Sequence, residues 1–103
     1  DRRSEPRYRV SIKAQVEGNT AHLESFSEEM IVEEISLSGL RLRTARDLEP
    51  GTVLKVLIPS HEVEATALVD VVWCEAGERS AGLKLTEPSE SWEKLCQKHT
   101  PRE

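Results

Sequence analysis

From Tyr8 onward apolar and polar positions alternate, with Tyr8, Val10, Ile12, Ala14 and Val16 on one side and Arg9, Ser11, Lys13, Gln15 and Glu17 on the other. A period of two predicts a strand with one buried face. The tripeptide "EGN" ends it. The next stretch, "AHLESFSEEMIVEEIS", has no clean period: its "MIVEEI" reads as strand and the glutamates ahead of it read as an exposed turn. In "GLRLRT", Leu40, Leu42 and Thr44 share one face, and Arg41 and Arg43 share the other. Pro50-Gly51 marks a turn. "TVLKVLIP" is a strand stopped by Pro59, which has no N–H to give to a ladder. The longest alternation runs through Val63, Ala65, Ala67, Val69, Val71 and Trp73. It predicts a strand that must bend, as in a barrel wall, and it places Trp73 in the core. Ala81, Leu83 and Leu85 repeat the pattern.

After Pro88 the period changes. Ser89 is placed to cap a helix, and Glu90 and Glu93 suit its positive end. Trp92, Leu95, Cys96 and His99 fall on one face at spacings of three and four, with Trp92 as the anchor. About six strands followed by one helix predict an antiparallel sandwich or barrel closed by a C-terminal helix.

The chain has 103 residues, 37% hydrophobic and 32% charged, which suits one soluble domain with a single core. No apolar run reaches the roughly 18 residues of a membrane span, and no leader is recognisable. A chain beginning at Asp1 is expected to be one domain of something longer. Cys74 and Cys96 are too few and too far apart for a disulfide scaffold or a zinc site, so free thiols in a cytoplasmic setting are expected. His22, His61 and His99 are scattered and read as surface residues; no metal site is expected.

Charge is uneven. The net value is −5, yet residues 1–13 carry Arg2, Arg3, Arg7, Arg9 and Lys13 against Asp1 and Glu5, leaving that segment at +3 and the rest at −8. A second basic group is "RLRTAR", with Arg41, Arg43 and Arg46. So acidic a body is a poor partner for polymeric nucleic acid, whose affinity grows with the number of phosphates neutralised. A compact anion held by local arginine clusters fits better. Arg41 and Arg43, on a strand's outer face, also suit cross-strand ion pairs.

Catalytic motifs are missing. No nucleophile–base ordering stands out, and the glycines Gly18, Gly39, Gly51, Gly77 and Gly82 fall one to a turn rather than in a phosphate loop. Glu28-Glu29 and Glu33-Glu34 are not read as acid/base pairs, because neighbours on a strand point to opposite faces and solvated turn charges are far commoner. The reading is a binding module, not an enzyme. Two short motifs stand out. Arg3-Ser4-Glu5-Pro6-Arg7 is an RxxxR, in which Pro6 keeps Glu5 extended. "EISLSG", Glu34 to Gly39, is an ExSxxG with Ser36 as a small donor and acceptor and Gly39 as the turn residue. Arginine forms a bidentate pair with the guanine O6/N7 edge or with phosphate, while a carboxylate accepts from guanine N1–H and its amine. The residues alone leave two readings open: a solvated terminal cluster, or a hand for a guanine nucleotide.

With both motifs in order, and with "LEPGTVLKVLIP", "ALVDVVWCE" and "AGLKLTE" around them, the chain from Arg2 to about Leu95 resembles the PilZ domain family. That resemblance implies a six-stranded antiparallel Greek-key β-barrel with a C-terminal helix that binds the bacterial second messenger cyclic di-GMP. It implies residues 1–8 as a flexible arginine-rich switch segment, 9–86 as the barrel and 89–99 as the helix. By motif position the ligand residues are Arg3, Arg7, Glu34, Ser36 and Gly39; Arg2 and Arg41 are adjacent candidates that no motif position assigns. The ligand is expected to gather the arginines, to order residues 1–9 over the barrel mouth, and to alter contacts with a partner domain or protein. No cofactor beyond this ligand is implied.

One position departs from the family pattern, which prefers Asp or Asn where this chain has Glu34. Glutamate keeps the acceptor and adds a methylene and a rotatable bond. A badly matched buried donor pair costs about 1–3 kcal/mol, or roughly one to two decades of affinity. The alternative reading is therefore a PilZ-like domain that binds no nucleotide and acts through protein contacts, its acidic face and C-terminal helix being the available surfaces.

Overall fold

The computed structural model describes residues 6–19, 24–59 and 64–98. Arg2, Arg3, Val63 and all three histidines lie outside them. The order is β1 (Tyr8–Asn19), β2 (Ser25–Ser36), β3 (Gly39–Arg43), β4 (Val53–Ile58), β5 (Ala65–Glu75), a 3-10 turn (Ala76–Glu78), β6 (Ser80–Leu85) and α1 (Glu90–Lys98). The strands close into a six-stranded antiparallel barrel in the order β1-β2-β3-β6-β5-β4, with β1 pairing back onto β4 through Gln15↔Leu57, Val16↔Val56 and Glu17↔Lys55. Closure leaves no free sheet edge among these strands.

The stretch that lacked a clean period is strand throughout. β2 begins at Ser25, so Glu28 and Glu29 are strand residues rather than turn charges. Pairing with β1 over its whole length overrides the weak local signal. Likewise, Gly18 and Gly82 lie inside β1 and β6 and Gly39 opens β3, so only Gly51 and Gly77 fall in turns. β1 begins at Tyr8, where the alternation starts, and Tyr8 pairs with Ile35.

β3 and β4 sit on opposite sides of the ring, so residues 44–52 must cross one end of the barrel. Leu48 on that crossover is buried in the core, and its N–H donates to Cys74 Sγ at 3.4 Å. The opposite end is closed by α1. Trp92, Leu95 and Cys96 join the same buried cluster as Ile35, Leu40, Ile58 and Leu85. A nine-residue helix is too short to hold itself together in water, so it depends on docking. Ser89 Oγ accepts from Trp92 N–H (3.2 Å) as the cap and donates to Thr66 O (2.7 Å), tying the helix start to β5. Trp92 is fully buried.

Trp73 is misplaced by its sequence parity. It is 40% exposed on the outer face. Val71 pairs with Leu83 and Trp73 with Gly82, so two steps on β5 match one on β6 and Val72 is the extra residue of a bulge. Beyond a bulge the inward and outward faces exchange. Trp73 turns out, and the half-buried Cys74 packs against the core instead.

Candidate functional site

Two further bulges stand near the same place. Arg9↔Glu34 and Ile12↔Val32 enclose an extra residue on β1, and Val32↔Leu42 and Glu34↔Arg41 enclose Glu33 as an extra residue on β2. Strict alternation after Met30 and Val32 would turn Glu34 inward. The bulge puts Glu34 outside and Ile35 into the core. The registers then align one row across five strands: Arg9, Glu34, Arg41, Gly82 and Trp73.

Along this row lies a groove of about 330 Å³ lined in part by Arg7, Glu34, Ser36, Arg41, Trp73 and Lys84. The two sequence motifs therefore converge. Arg7 Nη1 stands 3.8 Å from Glu34 Oε1, with Arg7 70% and Glu34 23% exposed. At that distance and exposure the pair is weak and readily exchanged for other partners. Among the described residues, three cations, Arg7, Arg41 and Lys84, face the groove against the single carboxylate of Glu34, so this lining favours an anion.

Ser36 ends β2, and its hydroxyl donates a long 3.4 Å bond to Gly39 O. Gly39 is needed for clearance rather than for an unusual turn. A Cβ there would stand 2.5 Å from Leu83 O, so β3 reaches β6 at this point only because the residue is glycine. The hairpin is held from two further directions, by Leu85 N–H to Ser38 O (2.8 Å) and by Trp92 Nε1–H to Ser36 O (2.8 Å).

The second basic group divides. Arg41 and Arg43 both reach the bulge residue Glu33, at 4.0 and 3.3 Å, as cross-strand ion pairs. Arg41 lines the groove as well. Arg46 pairs with Glu28 at 3.0 Å and lies over the Phe26 ring, 4.3 Å from its centroid, so it serves the barrel and is absent from the groove lining. Arg2 and Arg3, two of the expected ligand residues, are outside the described residues.

Sequence reasoning missed Trp73, Val72 and Lys84 as groove residues. A signal existed for Trp73. An isolated glycine inside a strand pattern, here Gly82, marks a bulge or a close approach. The indole of Trp73 lies across Gly82, where any Cβ would collide with the ring. An exposed indole lying over a glycine presents its outer face to whatever enters the groove, and a base stacks well on such a surface.

The fold is shared with a crystal structure of the PilZ domain of CeSA from a cellulose-synthesizing bacterium. The TM-score is 0.67, with 12% sequence identity over 91% of this chain and 94% of that one. No curated protein matches the sequence. Among the described residues, no helix is long and apolar enough to cross a membrane. The PilZ domain family model matches residues 1–99, and PilZ domains are binding and regulatory modules, generally receptors for cyclic di-GMP. The chain belongs to the PilZ domain family.

Proposed function

We propose that this domain is a receptor for cyclic di-GMP, binding it in the groove between Arg7, Glu34 and Trp73. The observation that carries this reading is the meeting of the two motifs. Arg7 and Glu34 are far apart in sequence and 3.8 Å apart in space, and together they offer the two kinds of contact that a guanine nucleotide needs. Glu34 accepts from guanine N1–H and the exocyclic amine. Arg7, released from Glu34, turns to a phosphate or to the O6/N7 edge. Arg3 supplies the second guanidinium of the motif, and Arg2 or Arg41 adds to the field. Trp73 gives a base a face to stack on. Ser36 and Gly39 shape the hairpin that carries Glu34.

Tyr8 and Arg9 already pair with Ile35 and Glu34. The rearrangement on binding is therefore confined to residues before Tyr8, a shorter segment than residues 1–9. Closing that segment over the ligand changes the surface offered to a partner domain or protein, and this is how occupancy is relayed. No covalent step is involved.

The test is substitution of the arginines. Arg3→Ala and Arg7→Ala are expected to abolish saturable cyclic di-GMP binding while the fold is kept and the melting temperature falls by no more than about 4–8 °C, since an exposed ion pair such as Arg7–Glu34 contributes about 0–1 kcal/mol. Undiminished binding by both variants would overturn the assignment.

A further inference from the structure

The groove and the C-terminal helix share one atom. Ser36 O, at the end of β2, accepts the Trp92 Nε1–H bond at 2.8 Å, across 56 residues of sequence. Ser36 also carries the hydroxyl that reaches Gly39 O, and it lies two residues from Glu34 on the same strand. Trp92 itself is fully buried. Its indole nitrogen is a donor that must be satisfied there, and the carbonyl it meets belongs to the second ligand motif. The same first turn of α1 is also tied to β5, through Ser89 and Ser91 at Thr66. The start of the helix is thus held both by β5, at Thr66, and by the hairpin that positions the groove's carboxylate.

We infer that Trp92 is a positioning residue for the nucleotide groove, and that α1 is the element through which occupancy of the groove is transmitted to the outside of the barrel. This rests on the receptor reading above. The physical content is a linkage. If the indole bond fixes the Ser36–Gly39 hairpin in its ligand-competent form, removing it weakens the ligand. By reciprocity, bound ligand must hold α1 more firmly by the same factor. A helix too short to persist undocked responds to that factor by releasing or keeping its exposed face, which bears Glu90, Lys94 and Lys98.

The experiment compares four forms of the domain by calorimetric titration with cyclic di-GMP, alongside thermal melting: parent, Trp92→Phe, Leu48→Ala and Ser91→Ala. Trp92→Phe keeps an aromatic ring and removes the N–H. Leu48→Ala weakens the core at the far end of the barrel, away from the hairpin. Trp92→Phe is expected to bind about tenfold more weakly, the worth of one buried hydrogen bond. Leu48→Ala should melt at least as early and bind like the parent, and Ser91→Ala, with the indole bond intact, should bind within about threefold of it. In the parent, the Trp92 indole N–H, identified in the nitrogen-15 spectrum by its loss in Trp92→Phe, should exchange more slowly with solvent when ligand is bound.

Parent-like affinity in Trp92→Phe, or unchanged indole exchange in a parent that does bind, overturns the inference and leaves the receptor reading standing. Equal weakening in Leu48→Ala and Trp92→Phe would reduce Trp92 to a stabilising residue and likewise overturn it. Absence of binding by the parent overturns both readings together.

Discussion

The Trp73 indole rests on the backbone of Gly82, in the gap left by the side chain that glycine lacks. This contact makes one wall of the groove and depends on two features at once: the bulge that turns Trp73 outward and the glycine that lets it lie flat. Gly82→Ala is expected to lift the indole from its seat, because the new Cβ would collide with the ring itself. Because Trp73 is already 40% exposed, the fold should survive. Trp73→Ala should weaken cyclic di-GMP by one to two decades, the range set by a base–aromatic stack of about 1–3 kcal/mol, and Gly82→Ala should lose part of the same amount. Titration of both variants checks this, with tryptophan fluorescence reporting the displaced ring in Gly82→Ala.

Glu34 differs from the family's usual Asp or Asn, and the structure gives it an ion pair with Arg7 that a shorter side chain would reach less well. Glu34→Asp should therefore loosen that pair and shorten the carboxylate, leaving cyclic di-GMP bound at least as tightly as by the parent. Glu34→Ala should lose the guanine acceptor and weaken binding by a decade or more. Parallel titrations of the two variants distinguish an acceptor role from a purely structural one.

Gly39 has a different kind of requirement. Its missing Cβ is replaced in space by the Leu83 carbonyl of β6, so Gly39→Ala must push β3 from β6. The expected result is a destabilisation of about 1–3 kcal/mol, a melting temperature lower by several degrees and weaker ligand binding. Denaturant unfolding and titration measure the two effects separately. Loss of ligand with unaltered stability would contradict this explanation.

A pH effect arises away from the groove. Glu75, at the end of β5, has its carboxyl pKa raised by a hydrogen bond to Glu78, which only the protonated Glu75 can donate, and by repulsion from that second carboxylate. A group whose folded pKa is raised contributes stability below its unfolded pKa and loses it as pH rises through the folded value. Stability from this pair is therefore present in acid and gone near neutrality. Glu78→Gln should raise the melting temperature slightly at pH 7 and lower it or leave it unchanged near pH 4. Two melting curves decide the sign.

Much of this molecule was legible in its residues because period-two patterning and motif spacing are local properties. The strands around Ala14–Val16, Leu40–Leu42 and Ala81–Leu85 and the helix anchored by Trp92 follow directly. What was not legible depends on pairing between distant strands. β2 is strand from Ser25 because β1 lies beside it, despite its glutamates. Trp73 left the core because one residue, Val72, is looped out against β6, and a bulge leaves no mark in a hydrophobic pattern until the partner's register is known. The same device faced Glu34 outward, so the motif's carboxylate reached the groove against its own parity. Arg46 shows the converse. Its place in a basic run suggested an anion contact, and its nearest carboxylate and ring, Glu28 and Phe26, took it instead.

The most direct test of the receptor reading is calorimetric titration of the purified domain with cyclic di-GMP, with GTP and cyclic AMP as controls. Saturable binding of cyclic di-GMP alone, with a rise in melting temperature, is the expected result. No heat and no thermal shift at high micromolar cyclic di-GMP would contradict it, and would leave this barrel as a PilZ domain that acts through protein contacts.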